Sequence, residues 1–225
     1  MAVSSSSSFN PIPLNHRERA AKGLRLRDHF PYDQLKRLFD IAGSLILLCL
    51  FAPLMLVVAL IVKISSPGPV IFKQQRLTQG GRIFTMYKFR TMRFEKNPVS
   101  TEIWTTKRDP RVTPAGRIIR KFRIDELPQL LNVLRGEMSI IGPRPERPDI
   151  AKQLAIVFPS FNRRLNVKAG ITGLAQTGNG YAGCVSSYRK KLAYDLMYIK
   201  HRCLFLDLRI ALKTIIVMLT GAGAR

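Results

Sequence analysis

The chain is poor in acid. It has 14 Asp and Glu against 37 Lys and Arg, for a formal net charge of +23 over 225 residues. That imbalance points to polyanionic partners: nucleic acid, an anionic membrane surface or phosphorylated small molecules. Cysteine is scarce too. Cys49, Cys184 and Cys203 are widely spaced and odd in number, which argues against a disulfide framework or zinc site and suits a reducing compartment. The three histidines, His16, His29 and His201, are scattered, so no histidine metal cluster is visible. No apolar region follows the N-terminus promptly enough for a secretory signal, and no internal repeat is apparent.

Against that background, one place where acids do occur stands out. Asp125 and Glu126 are adjacent, with Arg117, Arg120, Lys121 and Arg123 before them and Arg135 and Arg144 after them. Neighbouring carboxylates point in different directions, so one can attack while the other holds a metal or a proton. Attack by a carboxylate on a diphosphate needs its charge neutralised, which arginines and Mg2+ supply. The plainer alternative is that the two acids only pair with Arg120 and Arg123 or cap a helix.

The second feature is apolar. Ile41–Val62 is 22 residues without a charge, long enough as a helix to cross a hydrocarbon core of ~30 Å. Pro53 interrupts it, and both flanks are basic: Lys36 and Arg37 before it, Lys63, Lys73 and Arg76 after it. A spanning helix would set one basic flank on the outer side, against the positive-inside tendency. A re-entrant helix bent at Ala52–Pro53 would return both flanks to the cytoplasm. The residues alone leave both topologies open.

Residues 1–34 read as a disordered basic tail, with the serine run Ser4–Ser8 and basic residues from Arg17 to Arg27. Pro69–Gln75 and Arg82–Phe89 alternate apolar and polar around TQGG, which predicts a β-hairpin. Phe94–Pro110 reads as a polar loop. A short basic helix is expected over Arg117–Phe122, and a second helix with Pro128 in its first turn runs to Gly136. Asp125 then lies at or just before a helix N-terminus, where an anion is favoured. Ser139–Pro145 reads as a rigid turn, 147–167 as helix, Lys168–Gly180 as a glycine-rich loop and Tyr188–His201 as helix. Leu204–Leu219 is apolar on one side, with Asp207, Arg209 and Lys213 on the other. It is either a core helix or an amphipathic helix in the membrane interface.

Four motifs in order carry a family resemblance: KRLFDIAGSLILLCLFAPLMLVVALIVKISSPGPVIFKQQR, YKFRTM (Tyr87–Met92), IDELPQLLNVLRGEMSIIGPRP and GITGLAQ (Gly170–Gln176). From about Lys36 to Leu219 the chain resembles the bacterial sugar transferases, the small monotopic polyprenyl-phosphate glycosyl-1-phosphate transferases. The resemblance implies an α+β, mostly helical fold. A re-entrant membrane helix, a small β-hairpin and amphipathic interfacial helices would surround a single catalytic domain. The expected division is a tail over 1–34, a re-entrant helix over 35–64 broken near Pro53, and a catalytic domain over 65–225 on the cytoplasmic face of the bacterial inner membrane.

The implied reaction moves a sugar 1-phosphate from a UDP-sugar to undecaprenyl phosphate, releases UMP and initiates exopolysaccharide or glycoconjugate synthesis. By the family pattern Asp125 is the nucleophile and Glu126 the Mg2+ partner. Arg120 and Arg144 hold phosphates, and Lys88 and Arg90 line the same pocket. A hexose donor such as UDP-glucose or UDP-galactose is expected. The rival is a non-catalytic, membrane-anchored basic protein that binds nucleic acid or anionic lipid. Its weakness is that the cations cluster around acids and prolines rather than forming a basic stripe with aromatics. The chain departs from the family pattern at Ala52, where serine is common, at Thr78 and Ala169, where glycine and proline are frequent, and after Gln176, where Thr177-Gly178-Asn179-Gly180 lacks the usual arginine.

Overall fold

A computed structural model describes residues 30–93, 109–178 and 185–220. The expected tail lies outside these residues except for its last five. Those are already helical, because helix α1 runs over Phe30–Ser65. The polar loop expected over Phe94–Pro110 is likewise outside, apart from Asp109 and Pro110.

Helix α1 stays helical through Pro53. Its apolar side chains are mostly exposed: Ile46 is 65% exposed, Leu56 73% and Ile64 75%. A soluble core helix would bury such residues, so this surface suits lipid. What α1 does bury is confined to its two ends. Near its start, Asp40 accepts from the Ser139 hydroxyl and the Ile140 N–H, both at 3.0 Å, and Arg37 donates to Val133 O at 2.6 Å and Leu134 O at 2.9 Å. Near its finish, Val58 and Val62 pack with Phe89 and Ile119.

Strands β1 (Ile71–Leu77) and β2 (Ile83–Phe89) form the predicted antiparallel hairpin, with Lys73 opposite Tyr87 and Leu77 opposite Ile83. Its connection is a 3-10 turn over Gln79–Gly81, in which Gly80 and Gly81 take φ of 70° and 75°, a backbone that favours glycine. Phe84 and Met86 point inward onto Val133 and Met138, and Lys88 continues that alternate face.

Helix α2 (Pro114–Lys121) is capped by Thr113, whose hydroxyl accepts from the Gly116 N–H at 2.9 Å. After a 3-10 turn over Ile124–Glu126, Pro128 is the N-cap of α3 (Gln129–Leu134), one residue earlier than expected. Asn132 of α3 is fully buried and satisfies the hairpin's free edge. It accepts from Tyr87 N at 3.1 Å and donates to Thr85 O at 2.8 Å.

Two stretches read as turn or loop contain strands. Part of the stretch read as a rigid turn is strand β3 (Met138–Ile141). Part of the stretch read as a loop is strand β4 (Ala169–Thr172), which pairs with β3 in parallel, followed by α5 (Leu174–Gly178). The crossover between them carries α4 (Pro148–Val157) and a 3-10 segment, Phe161–Asn166. Four-residue strands give periodicity too little length to show, and glycine at Gly170 masks the second one. That glycine is required by contact, because a Cβ there would lie 2.1 Å from Gly142 N.

Helices α6 (Val185–His201) and α7 (Leu204–Thr220) follow. α7 buries Ile210 and exposes Phe205 (76%), Leu208, Leu212 and Ile216. This outward apolar stripe agrees with an interfacial helix rather than a core helix. Its Asp207 is not on a solvated face as expected. It is buried and accepts from Tyr32, Lys36 and Tyr198, each at 2.9 Å.

Candidate active site

The dyad lies in the tight turn between α2 and α3. Arg123 enters it at φ 56°, ψ 21°, the one non-glycine residue with positive φ among those described. Holding an L-residue there costs about 1–2 kcal/mol, a strain that local structure must impose. Its carbonyl accepts from the Glu126 N–H at 3.1 Å, closing the turn.

The two acids meet different environments. Glu126 is 7% exposed, and its carboxylate is gripped by the Arg144 fork: Nη2 donates to Oε1 at 2.6 Å and Nη1 to Oε2 at 3.1 Å. Lys88 Nζ adds a contact to Oε1 at 3.3 Å. Burial alone would raise the Glu126 pKa, but Arg144 and then Lys88 outweigh it and hold the group well below the usual carboxylate range. Asp125 makes no side-chain hydrogen bond or ion pair within 4 Å among the described residues. Its pKa is pushed up, by burial first and further by the Glu126 charge, with Lys88, Arg120 and Arg144 opposing. One carboxylate is therefore locked as an anion, and its neighbour sits unbonded within reach of the same cations' field.

Arg144 is itself held from behind. Its carbonyl accepts from Arg164 Nη2 at 2.7 Å, and the next carbonyl, of Pro145, accepts from Arg76 Nη1 at 3.1 Å. Arg164 also donates to Asp195 at 2.7 Å. Glu146 is buried between Lys191, with which it pairs closely, and Arg76 and Arg164, each at 3.9 Å. This network fixes the backbone on which the Glu126 clamp stands. Sequence reasoning did not find Glu146, Arg164 or Asp195. An acid directly after Pro-Arg-Pro, and an acid between Tyr194 and Leu196 in an apolar helix face, were the available signals.

Of the six expected site residues, Asp125, Glu126, Lys88 and Arg144 come together. Arg120 stands at their edge, with its Nε donating to the Thr91 hydroxyl at 2.7 Å and its charge acting on Asp125. The structure does not bring Arg90 to this cluster. Arg90 is 6% exposed and donates to Pro67 O at 2.9 Å, Val62 O at 3.2 Å and Ser66 O at 2.6 Å. It closes the C-terminal end of α1, a cation on orphan carbonyls at the negative pole of the helix. Arg90 lies one residue past the end of β2, and its guanidinium turns to the carbonyls at the end of α1, whereas Lys88, on the same strand face as Met86, reaches Glu126.

Among the described residues no group of three or more His, Cys, Asp or Glu gathers to hold a metal. A Mg2+ ion needs less, because it takes one or two carboxylates plus substrate phosphates and keeps several waters. Glu126 Oε1 is filled by Arg144 and Lys88, while Oε2 carries a single bond from Arg144 and keeps an acceptor direction. That oxygen and the unbonded Asp125 fit such an ion.

An anionic carboxylate under an arginine fork, an unbonded carboxylate beside it and a helix with an exposed apolar surface suit chemistry on a phosphorylated substrate at a membrane. The chain belongs to the bacterial sugar transferase family, whose model matches residues 31–221, and is an enzyme of the phosphoglycosyl transferase class. It is 45% identical over 229 residues to the UDP-N-acetylgalactosamine-undecaprenyl-phosphate N-acetylgalactosaminephosphotransferase of Aeromonas hydrophila, covering 95% of this chain and 54% of that protein. It is 41% identical to the exopolysaccharide production protein PSS of Rhizobium leguminosarum bv. phaseoli, covering 84% of this chain and 98% of that one. It is also 41% identical to the UDP-glucose:undecaprenyl-phosphate glucose-1-phosphate transferase of Caulobacter vibrioides, over 85% of this chain and 72% of the relative. The chain thus spans about half the length of the Aeromonas relative and nearly all of the Rhizobium one.

Proposed function

We propose that this protein transfers a sugar 1-phosphate from a UDP-sugar to undecaprenyl phosphate, in two displacements at Asp125. The observation that carries the reading is the unequal pair: Glu126 is gripped by Arg144 and Lys88, while Asp125 has its lone pairs unbonded. In the first displacement an Asp125 oxygen attacks the sugar-bearing phosphorus of the donor. The bond to the bridging oxygen breaks, and UMP leaves with that electron pair. In the second, a phosphate oxygen of undecaprenyl phosphate attacks the aspartyl-phosphosugar, and Asp125 leaves as carboxylate. The product is a lipid-linked sugar diphosphate.

A raised pKa makes Asp125 a stronger base, and so a stronger nucleophile, than an ordinary aspartate once it is ionised. Lys88, Arg120 and Arg144 offset the charge gathering on the phosphate oxygens. Mg2+, held by Glu126 Oε2 and donor phosphate, would further neutralise the diphosphate. Relatives act on different sugars by name, glucose in one and N-acetylgalactosamine in another, so the donor is a UDP-sugar of the hexose or N-acetylhexosamine class.

We further read α1 as re-entrant, with the catalytic domain on the cytoplasmic face. Asp40 and Val62, near its two ends, both bind this one domain, yet a straight helix would part them by ~33 Å, about the thickness of a hydrocarbon core. A span would need the domain on both sides. In a variant with the native cysteines replaced, single cysteines at Ser6 and Lys73 should both label only from the cytoplasmic side. Labelling from opposite sides would establish a span.

The test of function is UMP release from a panel of UDP-glucose, UDP-galactose and UDP-N-acetylgalactosamine with undecaprenyl phosphate and detergent-solubilised protein. One donor should support turnover, and Asp125→Asn should abolish it while membrane association persists. Full turnover by the variant would refute the assignment.

A further inference from the structure

A second polar site lies away from the dyad. A cavity of about 180 Å3 is lined by Asp33, Lys36, Arg37 and Asp40 of α1, by Lys168 just before β4 and by Arg202 just before α7. Four of these six residues are cations. Three of the cations are already engaged. Lys36 pairs with Asp207 at 2.9 Å and Arg202 with Asp33 at 3.1 Å, while Arg37 serves the α3 carbonyls. Lys168 is different. Among the described residues it is the lining cation with neither hydrogen bond nor ion pair, although it is partly buried. It also lies near another cation. Lys168 Nζ and Arg37 Nη2 lie 3.8 and 3.6 Å from the place a Cβ on Gly136 would take. Burial, and then the Arg37 charge, lower the Lys168 pKa, with the Asp40 and Asp33 charges opposing. Two cations in one cavity, one of them without an ion pair in contact, favour an anion there.

The cavity's place in the fold indicates which anion. It sits at the N-terminal ends of α1 and α7, the two helices whose exposed faces are apolar: Leu38 and Phe39 on α1 and Phe205 on α7 begin those faces. We propose that this cavity binds a phosphate group, that of an anionic phospholipid headgroup whose acyl chains lie along the exposed faces of α1 and α7, with Lys168 as its charge contact. The site would fix the depth of the domain at the bilayer surface. It rests on α1 lying in a membrane and not on the transfer chemistry, so its test reads binding rather than UMP release.

The full-length protein in a neutral maltoside detergent is titrated by calorimetry with dihexanoyl phosphatidylglycerol, dihexanoyl phosphatidylcholine and inorganic phosphate at matched ionic strength. Wild type and Lys168→Arg should bind phosphatidylglycerol saturably, and Lys168→Ala about fivefold more weakly, the effect of one surface cation. Phosphatidylcholine should bind far more weakly than phosphatidylglycerol. If inorganic phosphate shows the same Lys168-dependent binding, the phosphate site stands and its ligand is the free ion. If Lys168→Ala binds phosphatidylglycerol as tightly as wild type, or phosphatidylcholine binds equally well, the proposal fails. Melting of Lys168→Ala without lipid should match wild type. If that variant does not fold, Lys168→Gln, which keeps the stem, takes its place in the same comparison.

Discussion

Replacing Arg144 with alanine should expose the worth of the Glu126 clamp. The change removes two charge-assisted bonds from a carboxylate that is 7% exposed. Breaking a buried pair by deleting one partner costs about 3–5 kcal/mol. Here Lys88 remains at 3.3 Å, and the Arg144 side chain is itself 20% exposed, so a loss of about 2–3 kcal/mol is expected at pH 7. For a chain of this size that lowers the melting temperature by roughly 4–12 °C. The sign with pH follows from the depressed Glu126 pKa. A carboxylate whose folded pKa lies below its unfolded value stabilises the fold above the unfolded pKa, about 4.3, and loses that contribution as pH falls through the folded value. The gap between wild type and Arg144→Ala should therefore be widest above about pH 5 and narrow below it. Differential scanning fluorimetry in detergent across this range reads it. A gap under about 0.5 kcal/mol, the usual scale of a surface substitution, or one that widens toward acid, would refute the clamp.

Other perturbations separate structural from chemical roles. Asp125→Asn should raise the melting temperature at pH 7 while abolishing UMP release, because a carboxylate with a raised folded pKa opposes folding once ionised; a fall in melting temperature would contradict the raised pKa. Arg90→Gln should lower melting by several degrees, since three carbonyls at the end of α1 lose a charged donor, yet leave the donor KM unchanged; a large rise in KM would return Arg90 to the substrate pocket. Gly116→Ala should destabilise α2 by about 2–3 kcal/mol, because its Cβ would meet Thr91 O at 2.1 Å, a loss visible as a lower melting temperature and absent if α2 shifts freely. Thr78→Gly should cost about 1–2 kcal/mol in denaturant unfolding, through loss of the Thr78 hydroxyl bond to Glu137 O at 2.7 Å.

Local chemistry made much of this legible in the sequence. The hairpin announced itself through alternation around two glycines, and α3 through Pro128 and its leucines. Arg144 was singled out by the prolines that flank it. What stayed hidden depends on contacts across the chain. Asp207 read as a solvated helix residue because its partners Tyr32 and Lys36 lie some 170 positions earlier. The β3–β4 pair is parallel and joined by a long crossover, so no turn signal could mark it. Arg90 was grouped with Lys88 by motif, and only its bonds to the Val62, Ser66 and Pro67 carbonyls, far earlier in the chain, part them. The departures at Thr78 and Ala169 also prove to be neighbours. Ala169 N–H points to the Thr78 hydroxyl at 3.4 Å, a contact that proline at this position could not make.

The central claim is a covalent bond at Asp125. Incubating the protein with its UDP-sugar and Mg2+, without undecaprenyl phosphate, should release about one UMP per active site, as a two-displacement scheme requires. Intact-mass and peptide analysis should then place one sugar phosphate on the peptide bearing Asp125, lost again when undecaprenyl phosphate is added. Asp125→Asn should show neither burst nor adduct. UMP formed only in the presence of acceptor, with no adduct on wild-type protein, or an adduct on another residue, would contradict the account.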